Sequence, residues 1–181
     1  MQNKSFLLII IYVFIFGCSK EKSIRTYRMD KRPISENNQQ IEISKNEINW
    51  IKPKSWKISS GSNMRIASFD VPFENGVGDF SLIELSGDGG GLESNINRWR
   101  RQLNLAPQSL NEIKNNLISH KGKKGSFDVI KITNNEQNSA FMCAIIPIEN
   151  KTIFAKLSAT PKGIEYTYND FISFCSSINY N

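Results

Sequence analysis

The spacing of apolar residues changes several times along this chain, and each change marks an element. Ser5 to Phe16 (SFLLIIIYVFIF) is an almost unbroken apolar run. From Ser19 to Asn49 no period is sustained; Lys, Ser, Asn, Gln and Glu dominate, with Ile41-Glu-Ile43 expected as a short strand at the end. Such a segment buries too little apolar surface to offset the entropy of ordering it, and it is expected as a linker. Regular patterning returns at Trp50. Trp50-Ile-Lys-Pro53-Lys-Ser-Trp56-Lys-Ile58 reads as an entry segment with two aromatic anchors around a proline. Met64 to Val71 has strand composition, and Asp79 to Ser86 alternates, with Phe80, Leu82 and Glu84 on one face and Ile83 and Leu85 on the other. Pro72 to Gly78 between them is expected as a loop.

Gly87-Asp-Gly-Gly-Gly91 breaks the strand pattern. Leu92, Ile96, Trp99 and Leu103 then recur at helical spacing, which predicts a helix over 92–103. Ser109-Leu-Asn-Glu112 has the form of a capping box and predicts a short helix to about Leu117. Lys121 to Gly125 is expected as a turn, Ser126 to Thr133 as a strand, and Asn134 to Asn138 as a second turn. Ser139 to Ile148 and Lys151 to Ala159 are expected to pair across Glu149-Asn150. Thr160-Pro161 opens a last helix, with proline at the first helical position. Its apolar stripe is Ile164, Tyr168, Phe171, Ile172, Cys175 and Ile178. The expected order is β-β-α-(α)-β-β-β-α: an α+β fold in which a twisted antiparallel sheet carries two main helices. Short sequential hairpins exclude a doubly wound nucleotide fold.

The first apolar run decides the compartment. Met1-Gln-Asn-Lys4 is a short, positively charged start, and a run of about a dozen apolar residues suits the ~7–15 residue core of a signal peptide but is short for a span of ~20. It ends at Ile15-Phe16-Gly17-Cys18, which resembles the lipobox of bacterial lipoproteins: an aliphatic residue, a variable one, a small one, then cysteine. The resemblance implies cleavage before Cys18, a diacylglycerol on its thiol, acylation of the new amino group, and a lipid bilayer as partner. Two or three acyl chains anchor stably where one does not. Ser19 after the cysteine, by the sorting pattern of such proteins, implies the outer membrane facing the periplasm. The domain plan is a signal peptide over 1–17, a lipidated cysteine and flexible linker over 18–49, and a single α+β domain over 50–181. The alternative is a plain signal anchor with an incidental cysteine.

Charge alters this picture little. The 181 residues carry a formal net charge of +6, which raises a nucleic-acid reading. However, Lys20, Lys22, Arg25, Arg28, Lys31 and Arg32, against Glu21 and Asp30, concentrate the excess in the linker. A solvated tether, or one drawn to lipid headgroups, accounts for it, and no nucleic-acid partner is expected.

Several blocks together carry a likeness to known proteins. Trp50-x-x-Pro53-x-x-Trp56, Met64-Arg65-x-Ala67-x-Phe69, Gly87-Asp-x-Gly-Gly and Asn95-x-Asn97-Arg98-Trp99-Arg100-x-Gln102-Leu103 resemble a family of bacterial secreted or lipid-anchored proteins. Ala144-Ile-Ile-Pro147, Thr152-x-Phe154-x-Lys156-Leu157 and Phe171-x-x-Phe174-x-x-Ser177 fit the same likeness, which covers about Trp50 to Ile178. The layout also resembles the PsbP-like α/β/α sandwich. That resemblance implies an accessory or binding module, generally without catalysis; fold alone does not assign an activity.

The candidate binding residues are Gly87, Asp88, Gly89, Gly90, Asn95, Asn97, Arg98, Arg100, Arg101 and Gln102. A glycine-rich turn before a helix can present N–H groups at the positive end of the helix dipole to an anion, with arginines nearby. Against this, the arginines lie about two turns into the helix and point in different directions, Asp88 opposes an anion, and no Gly-Lys-Ser/Thr or dinucleotide-binding context follows. The plainer reading is a tight strand-to-helix crossover in which Asn95, Asn97 and Gln102 bond to backbone. Calcium is not expected, since one carboxylate is too few for a ~6–8 oxygen shell. His120, the one histidine, is expected in an exposed turn, with no nucleophile elbow or cysteine cluster to join it. Cys143 and Cys175 either pair or are buried separately. Trp50, Trp56, Phe73, Phe80 and Phe127 either line a groove or fill the core.

The expected function is that of a membrane-anchored, non-enzymatic binding or accessory module of the cell envelope. It needs no cofactor or metal and takes an envelope protein or small ligand as partner. An envelope hydrolase using carboxylates such as Glu84 and Asp88 is the alternative; a purely structural surface lipoprotein is the third reading.

Overall fold

The computed structural model describes residues 48–180. The expected signal peptide, Cys18, the basic run of the expected linker and the strand expected at Ile41–Ile43 lie outside the described residues. The elements are β1 Ile48–Asn49, β2 Lys57–Ile58, β3 Ala67–Phe73, β4 Gly76–Ser86, α1 Leu92–Gln102, α2 Leu110–Asn115, β5 Ile118–Gly122, β6 Gly125–Asn134, β7 Ser139–Ile148, β8 Lys151–Ala159, α3 Pro161–Ser177 and β9 Asn179–Tyr180. Seven strands form one antiparallel sheet in the order β2-β3-β4-β8-β7-β6-β5, and β1 pairs with β9 in a separate ribbon. This is the expected α+β architecture, an antiparallel sheet between helices. The ribbon brings Ile48 and Asn49 into the folded part, two residues before the boundary expected at Trp50.

Both sheet faces are apolar because β7 and β8 are buried on both sides. Met142, Ala144, Ile153, Ala155 and Leu157 face α3, with its Ile164, Phe171, Phe174 and Cys175. Their neighbours Phe141, Cys143 and Phe154 face the other way, onto Ile96 and Trp99 of α1 and Ile113 of α2. Period-2 alternation thus supplies two cores, one per face. In the α3 layer, Trp56 and Phe174 stack at 5.2 Å between ring centroids, and Phe80 stands 4.8 Å from each of them. Trp56, Phe80 and Phe127 are therefore core residues, and Trp50 leans on Phe174 at 6.0 Å. Cys143 belongs to one core and Cys175 to the other, so the sheet separates the two thiols; both are free and buried.

Local signals explain the helix ends. Ser109 Oγ accepts from the Glu112 N–H while the Glu112 carboxylate accepts from the Ser109 N–H, so the capping box closes in both directions. Thr160 Oγ1 accepts from the Gly163 N–H ahead of Pro161, which opens α3.

Three expectations change. Pro72 to Gly78 is a hairpin with Glu74 and Asn75 at its tip, not a loop: Pro72 pairs with Val77 and Phe73 with Gly76. Pro72 is tolerated because β2 leaves β3 after Asp70, so no strand on that side needs its N–H. The segment 118–122 is an edge strand, β5, pairing with β6. His120 accordingly lies on that strand, half-buried, with its ring 5.6 Å from that of Phe127 and Nε2 3.3 Å from the Tyr168 hydroxyl.

Candidate functional site

The glycine turn joins β4 to α1, and its backbone dictates its composition. Gly87, Gly89, Gly90 and Gly91 all have positive φ, between 59° and 93°. An L side chain there would be strained, and at Gly89 a Cβ would lie 2.3 Å from Phe154 Cε2. The turn is tied to the β7–β8 hairpin: the Gly87 N–H donates to Asn150 O at 2.7 Å and Thr152 Oγ1 donates to Gly87 O at 2.7 Å. Asp88 folds back, its Oδ1 accepting from the Gly90 N–H at 2.9 Å.

Asn95, only 3% exposed, locks the turn from the helix side. Its Nδ2 donates to Gly89 O at 3.0 Å and Gly91 O at 2.8 Å, and its Oδ1 accepts from Arg98 at 2.7 Å. Asn97 clamps the segment before α2, donating to Gln108 O at 2.9 Å and accepting from the Gln108 N–H at 2.8 Å. Arg100 Nε donates to Ala106 O at 2.6 Å. Arg101 is exposed. Gln102 accepts not from backbone but from Lys156 Nζ, at 3.1 Å. The three arginines therefore do not converge on the turn. What the structure brings together is Asp88 and Asn95, beside one opening.

That opening is a cleft of about 440 Å³ on the α1 face of the sheet. Asp88, Leu92 and Asn95 form one wall, Ser119, Ser126, Phe127 and Asp128 of β5 and β6 form the other, and Ile145, Pro147, Thr152 and Phe154 lie beneath. Ser119 Oγ donates to Asp128 Oδ1 across the β5–β6 pair. Apolar floor and polar rim are the usual composition of a binding pocket. Ser119, Ser126 and Asp128 were not singled out by the sequence, because β5 carries no apolar alternation that would reveal it as the second wall.

Glu84 and Asp88 do not face one another. Glu84 lies on the α3 side, paired with Lys151 at 2.7 Å and accepting from the Tyr180 hydroxyl. These bonds hold its carboxyl below the ordinary range. Lys156, on β8, points to the α1 side with Nζ 4.5 Å from the centre of the Phe141 ring, and burial lowers its pKa. The alternation of 154, 156 and 158 against 153, 155 and 157 was the signal for that side. Among the described residues no group of three or more His, Cys, Asp or Glu side chains is arranged to hold a metal ion, and no helix is long and apolar enough to cross a membrane.

No family model matches the sequence, and no curated protein matches it. Among solved structures, it is similar to the cyanobacterial PsbP protein CyanoP from Synechocystis, with 12% identity and a TM-score of 0.49 over 76% of this chain and 89% of that one. It is similar to a Bacteroides thetaiotaomicron protein at 11% identity and a TM-score of 0.46; 75% of this chain is matched, but only 45% of that one. It is also similar to LpqN, a Mycobacterium tuberculosis protein involved in cell envelope biogenesis, at 13% identity and a TM-score of 0.38 over 73% of this chain and 82% of that one.

Proposed function

We propose that this chain is a non-enzymatic binding module of the bacterial cell envelope, tethered to the membrane through acylated Cys18, and that the cleft between the glycine turn and β5–β6 receives its ligand or partner. The observation that carries the reading is the cleft itself, about 440 Å³ with apolar residues beneath and hydroxyl, amide and carboxylate groups around the rim. The glycine-turn wall is tied down. Asn95 bonds fix the turn, and Thr152 ties the turn to the hairpin, so the site costs little ordering when occupied. The polar side chains of α1 are spent within the domain instead of offering a separate site: Asn95 and Arg98 bond at the glycine turn, and Asn97 and Arg100 bond to the segment before α2.

The tether follows from the lipobox and from the linker's composition, and the outer membrane facing the periplasm is the address read from Ser19. The test is affinity capture from detergent-solubilised membranes, run beside Ser126→Trp, which fills the cleft from an exposed rim position. The expected result is a partner recovered by the native chain and lost by the variant, with both melting at the same temperature. Equal recovery by both, or recovery of nothing together with no ligand-induced rise in melting temperature, would overturn the cleft as the site.

A further inference from the structure

The end of the domain where the chain enters carries a group of exposed lysines. Ile51 N–H donates to Ser177 Oγ at 2.8 Å, and Lys123 N–H at the tip of the β5–β6 hairpin donates to Ser176 O at 3.0 Å. Entry segment and hairpin tip are thus fastened to consecutive residues at the C-terminal end of α3. Lys54, Lys121, Lys123 and Lys124 are exposed there, and Ile51 is 66% exposed beside them. Neither 50–58 nor 118–127 contains a carboxylate. Nearby, Glu84 is neutralised by Lys151, Asp88 and Asp128 line the cleft on the α1 face, and Glu149 is the exposed acid of the β7–β8 turn. The opposite end, ~25 Å away by the length of a 17-residue helix, differs: the β3–β4 tip carries Glu74, the β6–β7 turn Glu136, and the start of α3 both Lys162 and Glu165.

We infer that this basic corner docks the domain onto an anionic phospholipid surface, with Lys121, Lys123 and Lys124 over the headgroups and the exposed Ile51 at the interface. The orientation rests on the tether reading above, because the chain reaches the domain at Ile48, in the ribbon beside this corner. The linker's basic run, Lys20 to Arg32, would then reinforce the same attraction. Lysines held near an anionic leaflet contribute roughly fivefold each to binding, and only within about a Debye length, so a cluster at one end orients the molecule as well as binding it.

The test is sedimentation with vesicles, using the chain from residue 18 onward with Cys18→Ser, so that no acyl chain contributes. Vesicles of phosphatidylcholine alone are compared with vesicles containing phosphatidylglycerol, at about 0.1 M salt. The variants are Lys123→Gln with Lys124→Gln at the basic corner, and Lys131→Gln with Lys162→Gln as a pair removing the same charge elsewhere. The expected result is binding to the anionic vesicles only, weakened about 25-fold by the corner pair and little by the control pair. Equal binding to neutral vesicles, no binding to either, an unaffected corner pair (binding through the linker alone) or equal losses in both pairs (net charge alone) would each overturn it. Because the assay needs no lipidation, its outcome and that of a test of Cys18 acylation are read separately.

Discussion

Asn97 satisfies both backbone groups of Gln108 with one side chain, and Asn95 satisfies two carbonyls of the glycine turn. Truncating either leaves polar backbone groups without partners, which costs more than the bonds themselves gain. Asn97→Ala is expected to lower unfolding stability by about 1–3 kcal/mol in a denaturant titration, with no change if the clamp is not made. Glu84 gives a pH signature. Its bonds to Lys151 and Tyr180 hold its folded-state pKa below 4.5, so its contribution is present above that pH and is lost as pH falls through the lowered value. The pair is partly exposed, so the effect is about 1 kcal/mol or less. Glu84→Gln is expected to flatten the acid side of the stability profile by that amount; an identical acid slope in both proteins would contradict the pairing. The buried thiols of Cys143 and Cys175, both raised in pKa by burial, should resist thiol reagents in the native state and both label once unfolded. A disulfide found by mass would contradict the two-core arrangement.

At the scale of elements, the glycine turn separates conformational need from packing need. Gly87 has φ 59° with open space around it, whereas Gly89 has φ 65° and abuts Phe154. Gly87→Ala is expected to cost about 1–2 kcal/mol from backbone strain alone, and Gly89→Ala about 2–4 kcal/mol, since the Phe154 ring must also move. Equal losses would mean that Phe154 yields freely. The elements legible in the sequence are those whose signal is local: β7, β8, α1, the capping box and the opening of α3. β5 escaped because Ile-Ser-His-Lys-Gly has no apolar alternation; it is an edge strand whose outer side meets water. The 72–78 hairpin escaped because Pro72 argues against a strand unless its neighbour stops short, and that is a fact of the sheet. The same limit governed the site. Asp88 and Asn95 belong to a recognisable glycine-rich block, but Ser119, Ser126 and Asp128 join them only through pairing across the β5–β6 hairpin. For the candidate residues Asn97, Arg98 and Arg100, composition could not distinguish groups offered to a ligand from groups spent on the domain's own backbone and side chains.

At the scale of the whole molecule, three features support the proposed tether: the lipobox-like Ile15-Phe16-Gly17-Cys18, a polar stretch of about thirty residues, and a folded unit whose entry segment lies beside exposed lysines. The cleft, on the α1 face, is lined by the turn, β5–β6 and the central strands, while α3 lies across the sheet. The measurement that tests the account most directly is intact mass combined with membrane fractionation of the native protein beside Cys18→Ser. The expected result is a native chain beginning at Cys18 with a diacylglyceryl adduct and retained in the membrane, and a variant that lacks the adduct and is not retained. Two proteins with the same mass shift and the same distribution would contradict it and remove the envelope address on which the proposed function stands.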